Sequence, residues 1–257
     1  MLSDLHLRQM RAFLQNAEDS GFQRLSDMLS QNVYWSSRER ASAKTEMHCI
    51  YEPCMRCKSS YFSQIGRIYH VPVFSIDVPS RQTASNVAYV AAQLRALKRF
   101  LEQTTGRLID EDQLAERVAR GRETLEEFEK FQSARADRFI PSDLVSPLYS
   151  GMTNNILLGT EEEKLYTEKL LKDIKNAPPK KGKHIYWMHT IPFWSDAVKE
   201  ALLLNDSAQI VGCELSQVAD LSVHSEDPYE EMAMRLVYHA LNGPISRRIE
   251  AGIHHAK

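Results

Sequence analysis

The spacing of apolar positions predicts two long helices in the middle of the chain. From Ser85 to Thr105 apolar residues recur at helical spacing, and Gly106 is a typical helix stop. Asp110 followed by Gln113 is typical of a capping box, and this pair predicts the start of a second helix. We expect the two helices to form a hairpin with a charged outer face.

Short apolar segments on either side of these helices predict buried strands. The first is VPVFSIDVP, residues 71–79, which is rich in β-branched and aromatic side chains. The next two are HIYWMH, residues 184–189, and AQIVGC, residues 208–213. SDAVKEALLL, residues 195–204, predicts a helix between them. Strand, helix and strand with short connections favour a right-handed parallel crossover.

This order of elements predicts an α/β protein. We expect two Rossmann-like or flavodoxin-like parallel-sheet domains joined by the long helical hairpin. The N-terminal α/β domain, residues 1–150, holds the cysteine loop and the hairpin, and the C-terminal α/β domain is residues 151–257. The pattern of the second domain stops inside a predicted helix. We therefore expect this domain to be incomplete and the chain to be a fragment of a longer protein.

Composition and charge exclude several kinds of partner. The 257 residues are 43% hydrophobic and 26% charged, which is typical of globular proteins. Lys and Arg number 32 against 34 Asp and Glu, and no basic stretch favours nucleic acid. No segment is apolar for long enough to span a bilayer, and the amphipathic N-terminus does not have a signal-peptide pattern. We expect a cytoplasmic protein that binds neither nucleic acid nor membrane.

Three of the four cysteines lie in CIYEPCMRC, residues 49–57, with the spacing C-x4-C-x2-C. Where thiols stay reduced, clustered cysteines more often bind metal or do redox chemistry than form disulfides. The spacing leaves three interpretations open: an iron–sulfur cluster, a structural zinc site completed by His48 or His70, and thiols without a metal. We expect these cysteines in a loop or first turn before a helix. Cys213 is most simply a small buried apolar residue.

Polar residues at the ends of predicted strands are candidates for ligand binding, because α/β folds place ligands there. Asp77 either caps the turn after the first strand or faces a cleft. His189 either lines a cleft or is a satisfied polar residue. The loop HTIPFW, residues 189–194, has no glycine fingerprint, so a dinucleotide site is not supported.

The order of several segments resembles the 2-hydroxyacyl-CoA dehydratase and benzoyl-CoA reductase family. After the cysteine loop and an aromatic helix come VPVFSIDVP, TGRLIDEDQLAERVARGRETLEEF, GKHIYWMHTIPFW and EDPYEEMAMRLVYHALNGPISRRIEAGIHHAK. The resemblance implies two α/β domains and a [4Fe-4S] cluster bound by cysteines from separate segments. It places the middle cluster cysteine at Cys54, with Cys57 as the alternative. The early and late cysteine segments of the family have no counterpart here.

The resemblance also implies an activity and its partners. Dehydratase members transfer an electron to the thioester carbonyl of a 2-hydroxyacyl-CoA, and the ketyl radical expels the 2-hydroxyl group. This implies an acyl-CoA thioester substrate near Asp77 and His189, a homologous second subunit and an ATP-dependent electron-donating activator protein. The alternatives are a subunit of a benzoyl-CoA-type ring reductase and a non-catalytic metal-binding homologue or fragment. Because cluster segments have no counterpart, we expect the 257 residues alone to be inactive.

Overall fold

The computed structural model describes residues 48–52, 63–64, 66–148, 150 and 157–256, with only the backbone described at 48–52 and 254–256. The elements in chain order are β1 (His48–Glu52), β2 (Val73–Asp77), α1 (Ala84–Thr105), α2 (Glu111–Ala134), α3 (Glu161–Asn176), β3 (Lys183–Trp187), α4 (Asp196–Leu202), β4 (Ala208–Cys213), α5 (Pro228–Val237) and α6 (Ile245–Ala256). These residues belong to two compact units that divide between Ser75 and Ile76.

The first unit contains β1 and the beginning of β2, and the two strands form a two-stranded sheet. Residues 66–69 are helical, and the amide of Val71 donates to the carbonyl oxygen of Gly66 at 3.0 Å. Cys49 lies within β1. The prediction of a loop at Cys49 was therefore wrong. The neighbouring Ile50 and Tyr51 are of the β-branched and aromatic types that favour strands.

In the second unit, β3 and β4 form the predicted parallel pair. Lys183 lies opposite Ala208, and Trp187 lies opposite Cys213. Helix α4 connects the two strands in sequence and packs on β4. The strand, helix and strand order and the parallel pairing are confirmed, so this part of the chain is α/β with a small parallel sheet. The two parallel-sheet domains, with their boundary after residue 150, stay a prediction.

A cluster of buried apolar side chains anchors this sheet. Its buried members are Leu144, Leu148, Ile191, Ile210 and Cys213. Partly buried side chains from β3, α4 and the loop after β3 pack against it, among them Trp187 and Phe193. The core therefore extends to the carboxyl ends of both strands and holds the residues that follow them.

Two predicted capping residues, Gly106 at the end of α1 and Asp110 at the start of α2, are confirmed. Thr83 caps the start of α1, and Gly106 ends it with a left-handed φ of 68°. The Asp110 carboxylate accepts from the amides of Asp112 and Gln113 at 3.0 and 3.1 Å at the start of α2. Both ends of α1 and the start of α2 therefore follow from local sequence.

The expected hairpin packing of α1 on α2 was wrong. Helix α1 packs on α5, and α2 packs on α3 and, less extensively, on α5, whereas α1 and α2 make little contact with each other. The apolar face of α2 explains part of this, because Phe128 and Phe131 form a buried cluster with Ile174 of α3. Each long helix buries its apolar face against a different, later helix. Among the described residues, no helix is both long and apolar enough to cross a membrane.

Candidate functional site at the carboxyl ends of the parallel strands

The carboxyl ends of β3 and β4 bring His189 and Glu214 into contact. Trp187 lies opposite Cys213, so the residues that follow each strand share one edge of the sheet. The amide of His189 donates to Oε2 of Glu214 at 3.1 Å. The thiol of Cys213 donates to the carbonyl oxygen of His189 at 3.4 Å. Both backbone polar groups of His189 are therefore bonded to the end of β4.

His189 has an unusual backbone conformation and an available ring nitrogen. Its φ is 64°, in the left-handed region that costs a non-glycine residue about 1–2 kcal/mol. The ring Nδ1 lies 3.1 Å from the Thr190 hydroxyl oxygen. The residue is exposed, and the structure shows no hydrogen-bond partner for Nε2 among the described residues. Nε2 is therefore available to bind a ligand.

Glu214 is a buried carboxylate with paired oxygens. Its side chain is 7% exposed, and Oε1 accepts from Nη2 of Arg248, on α6, at 2.7 Å. A buried charge is costly unless it is paired and hydrogen-bonded. Arg248 supplies the opposite charge, and the His189 amide supplies a further donor. Glu214 therefore connects the loop after β3 to helix α6.

The loop after β3 is held by its own hydrogen bonds and by one buried side chain. Nε1 of Trp187 donates to the carbonyl oxygen of Thr190 at 3.1 Å. Ile191 is fully buried. Two apolar side chains of this segment remain largely exposed, Met188 at 56% and Trp194 at 62%. The loop thus presents an imidazole together with apolar surface.

Burial favours the protonated forms of two neighbouring side chains. Burial raises the pKa of Tyr186 to about 12, and the charges of Glu214 and Cys213 add to the effect. The side-chain amide of Gln217 donates to the Tyr186 hydroxyl. Burial also raises the pKa of the Cys213 thiol. In the absence of a bound metal, burial therefore favours the neutral thiol of Cys213.

Asp77, the other predicted ligand-binding residue, contacts α1. Its Oδ2 accepts from the Tyr89 hydroxyl at 3.2 Å, and this hydrogen bond raises the pKa of Tyr89. The side chain of Gln93 bonds the backbone N–H and C=O of Asp77, each at 2.8 Å. Thr83, rather than Asp77, caps α1. No hydrogen bond or ion pair in the described part of the chain joins Asp77 to His189, and a shared role in substrate binding stays a prediction.

The predicted metal ligands cannot be placed together. Cys54 and Cys57 lie outside the described residues, and Cys49 is described by its backbone only. Among the side chains that the structure describes, no group of three or more His, Cys, Asp or Glu residues could hold a metal ion. The assignment of Cys54 and Cys57 to a cluster stays a prediction.

Sequence reasoning missed Glu214 and Arg248. Glu214 directly follows the last residue of β4, so the rule on strand ends that singled out His189 applies to it as well. Arg248 lies 34 residues further along the chain. No sequence pattern connects it to Glu214.

Comparison with known proteins identifies the family. A family model described as 2-hydroxyglutaryl-CoA dehydratase, D-component, matches residues 14–257. The match covers every residue that the structure describes and confirms the resemblance to 2-hydroxyacyl-CoA dehydratases. No curated protein matches the chain. The chain belongs to the 2-hydroxyglutaryl-CoA dehydratase D-component family.

Proposed function

We propose that this protein is the iron–sulfur subunit of a 2-hydroxyacyl-CoA dehydratase, which eliminates water from a 2-hydroxyacyl-CoA thioester. The observation that carries the proposal is the family match over residues 14–257. A component of a dehydratase implies a partner component. We propose that the partner is a homologous second subunit and that an ATP-dependent activator protein donates electrons to the complex.

The proposed elimination is redox-neutral overall. One electron from the activator enters the thioester carbonyl and gives a ketyl radical. The radical expels hydroxide from C2, a proton leaves C3, and the electron passes back from the product radical to the protein complex when the 2-enoyl thioester forms. A 2-enoyl-CoA and one water molecule are the products, so a single donated electron serves many turnovers.

We propose that Cys54, or Cys57 in its place, contributes a ligand to a [4Fe-4S] cluster. The C-x4-C-x2-C spacing and the family support this assignment. When bound, such a cluster supplies one-electron transfer. We propose a structural role for Cys213, which packs in the buried apolar cluster beside the sheet and contacts the carbonyl oxygen of His189.

We propose that His189 binds an oxygen atom of the thioester substrate and that Asp77 is a second substrate contact. Support for His189 comes from its exposed position at the carboxyl end of β3 and from the absence of a described partner for Nε2. The exposed side chains of Met188 and Trp194 offer apolar contacts for an acyl chain. Asp77 contributes an exposed carboxylate at the end of β2.

Calorimetric titration tests this substrate class. A panel of 2-hydroxyacyl-CoA thioesters is compared with coenzyme A alone and with the 3-hydroxyacyl isomers. We expect the 2-hydroxyacyl thioesters to bind most tightly. His189→Ala should weaken their binding about tenfold, the loss of roughly one hydrogen bond. The matched variant at an exposed histidine, His224→Ala, should bind like wild type. Equal affinity for coenzyme A and for every thioester would contradict the proposed substrate.

A further inference from the structure

We propose that Glu214 is a positioning residue that holds the His189 imidazole in the orientation in which it binds its ligand. The identity of that ligand, an oxygen atom of an acyl-CoA thioester, rests on the proposed function. The positioning itself rests on contacts among residues of this chain.

The backbone conformation of His189 needs support from outside the residue. A φ of 64° is unfavourable for any residue with a Cβ, so the left-handed turn persists only where neighbours stabilise it. The Glu214 carboxylate provides such a contact by accepting from the His189 amide at 3.1 Å. Since φ sets the direction of the Cα–Cβ bond relative to the chain, relaxation of this turn would redirect the imidazole.

Glu214 is itself fixed in place. Its other carboxylate oxygen accepts from Arg248 at 2.7 Å. Hydrogen bonds between charged groups are roughly twice as strong as neutral ones. The side chain is 7% exposed, so it has almost no surface with which to contact a ligand. Its influence on a ligand therefore acts through His189.

The Thr190 hydroxyl contacts the His189 ring and can influence which ring nitrogen carries the proton. Its hydroxyl oxygen lies 3.1 Å from Nδ1 of His189. If the hydroxyl donates to Nδ1, the proton of the neutral ring is on Nε2, which then donates to an oxygen atom of the ligand. Glu214 and Thr190 together would thus fix both the direction and the tautomer of one hydrogen-bond donor.

Glu231 offers a matched control, because it is the same kind of buried carboxylate elsewhere in the fold. Its side chain is 5% exposed, and it pairs with Arg122 at 3.3 Å and Arg235 at 3.4 Å. It also accepts from a backbone amide, that of Ser225, at 3.1 Å. Loss of either carboxylate should destabilise the protein, but only Glu214 contacts His189.

The first test is NMR of the His189 ring nitrogens in the chain labelled with 15N-histidine. The His189 signals are identified as those that disappear in His189→Gln. In wild type we expect one tautomer, protonated at Nε2. Glu214→Ala should move the signals toward the tautomer mixture of a free imidazole, and Glu214→Gln should move them less, because its amide oxygen still accepts. Glu231→Gln should leave them unchanged.

Two NMR results would overturn the proposal. One is a Glu214→Ala spectrum in which the His189 signals coincide with those of wild type. The other is an equal displacement of these signals in Glu231→Gln. If Glu214→Ala does not fold, Glu214→Gln is compared with Glu231→Gln by the same measurement, and equal His189 signals in the two variants would again contradict the positioning role.

The second test is a double-mutant cycle on the binding of a 2-hydroxyacyl-CoA thioester. Glu214→Gln should weaken binding about fivefold when His189 is present and have no further effect in the His189→Ala background. Additive losses would show that Glu214 does not act through His189. Wild-type protein that binds no acyl-CoA would contradict the proposed function, whereas the NMR test decides the positioning role independently.

Discussion

The thiol of Cys213 donates a hydrogen bond to the backbone carbonyl oxygen of His189, with 3.4 Å between Sγ and O. This bond links the carboxyl ends of the two parallel strands β3 and β4. Only the protonated thiol can donate, and burial raises the pKa of Cys213. The contact therefore fits a neutral thiol that joins the two strand ends.

The cysteines should differ in their effect on metal content. After anaerobic purification of the full-length protein, Cys54→Ala or Cys57→Ala should remove most of the iron and acid-labile sulfide, because the cluster loses a proposed ligand. Cys213→Ala should retain both and should lower the free energy of unfolding by about 1–2 kcal/mol through the buried cavity. The iron, sulfide and zinc content of each variant is measured, and urea unfolding gives the free energies of unfolding. Iron loss confined to Cys213→Ala, or stoichiometric zinc without iron, would refute the assignment.

The start of β3 should be sensitive to a single methyl group. Gly182 has φ 70°, and a Cβ there would overlap the backbone carbonyl of Ser207. Gly106 has φ 68° but open space around its Cβ position. Gly106→Ala should therefore lower the free energy of unfolding by about 1 kcal/mol, the strain of a left-handed residue with a Cβ. Gly182→Ala should lower it by about 1–3 kcal/mol more, because its Cβ overlaps the backbone. The two free energies of unfolding are compared in urea.

Equal losses in these two glycine variants would show that the segment before β3 can move away from Ser207 without cost. In that case the register that places Trp187 opposite Cys213 would not depend on this close approach.

A buried carboxyl on α3 should make stability depend on pH. Glu163 is 1% exposed, and burial raises its pKa. Because the pKa of Glu163 is higher in the folded than in the unfolded protein, its protonated form favours folding. This contribution to the free energy of unfolding is fully present below the unfolded-state pKa and is lost as pH rises through the folded-state pKa. Glu163→Gln should therefore gain stability relative to wild type as pH rises from about 4 to 8.

The exposed neighbour Glu162 provides the control for this titration. Glu162→Gln should show a nearly constant difference from wild type over the same pH range. Urea unfolding at several pH values measures both variants. A Glu163→Gln difference that is independent of pH would mean that the carboxyl is solvated in the folded protein.

Local features of the fold could be predicted from the sequence, because they depend on neighbouring residues. Gly106 and Asp110 act where the pattern places them, and the segment AQIVGC forms β4. The packing partners of the long helices could not be predicted. An apolar stripe shows that a helix is buried, but it does not show against which element, and Phe128 meets Ile174 of α3 instead of a residue of α1.

The candidate site was predictable in its location but not in its contacts. The end of β3 singled out His189, because ligands bind at the carboxyl ends of parallel strands. Its left-handed backbone and its bond to Glu214 depend on tertiary structure. The ion pair of Glu214 with Arg248 joins positions 34 residues apart, and such a pair leaves no periodic signal in the sequence.

Turnover by the assembled enzyme distinguishes dehydration from ring reduction. The protein in its full length is combined anaerobically with its partner component, the reduced activator and ATP, and 2-hydroxyacyl-CoA thioesters are supplied together with benzoyl-CoA. We expect a 2-enoyl-CoA product that is lighter than its substrate by one water molecule, with about tenfold slower turnover at limiting substrate in His189→Ala. Reduction of benzoyl-CoA without any dehydration of the 2-hydroxyacyl thioesters would contradict the proposed function.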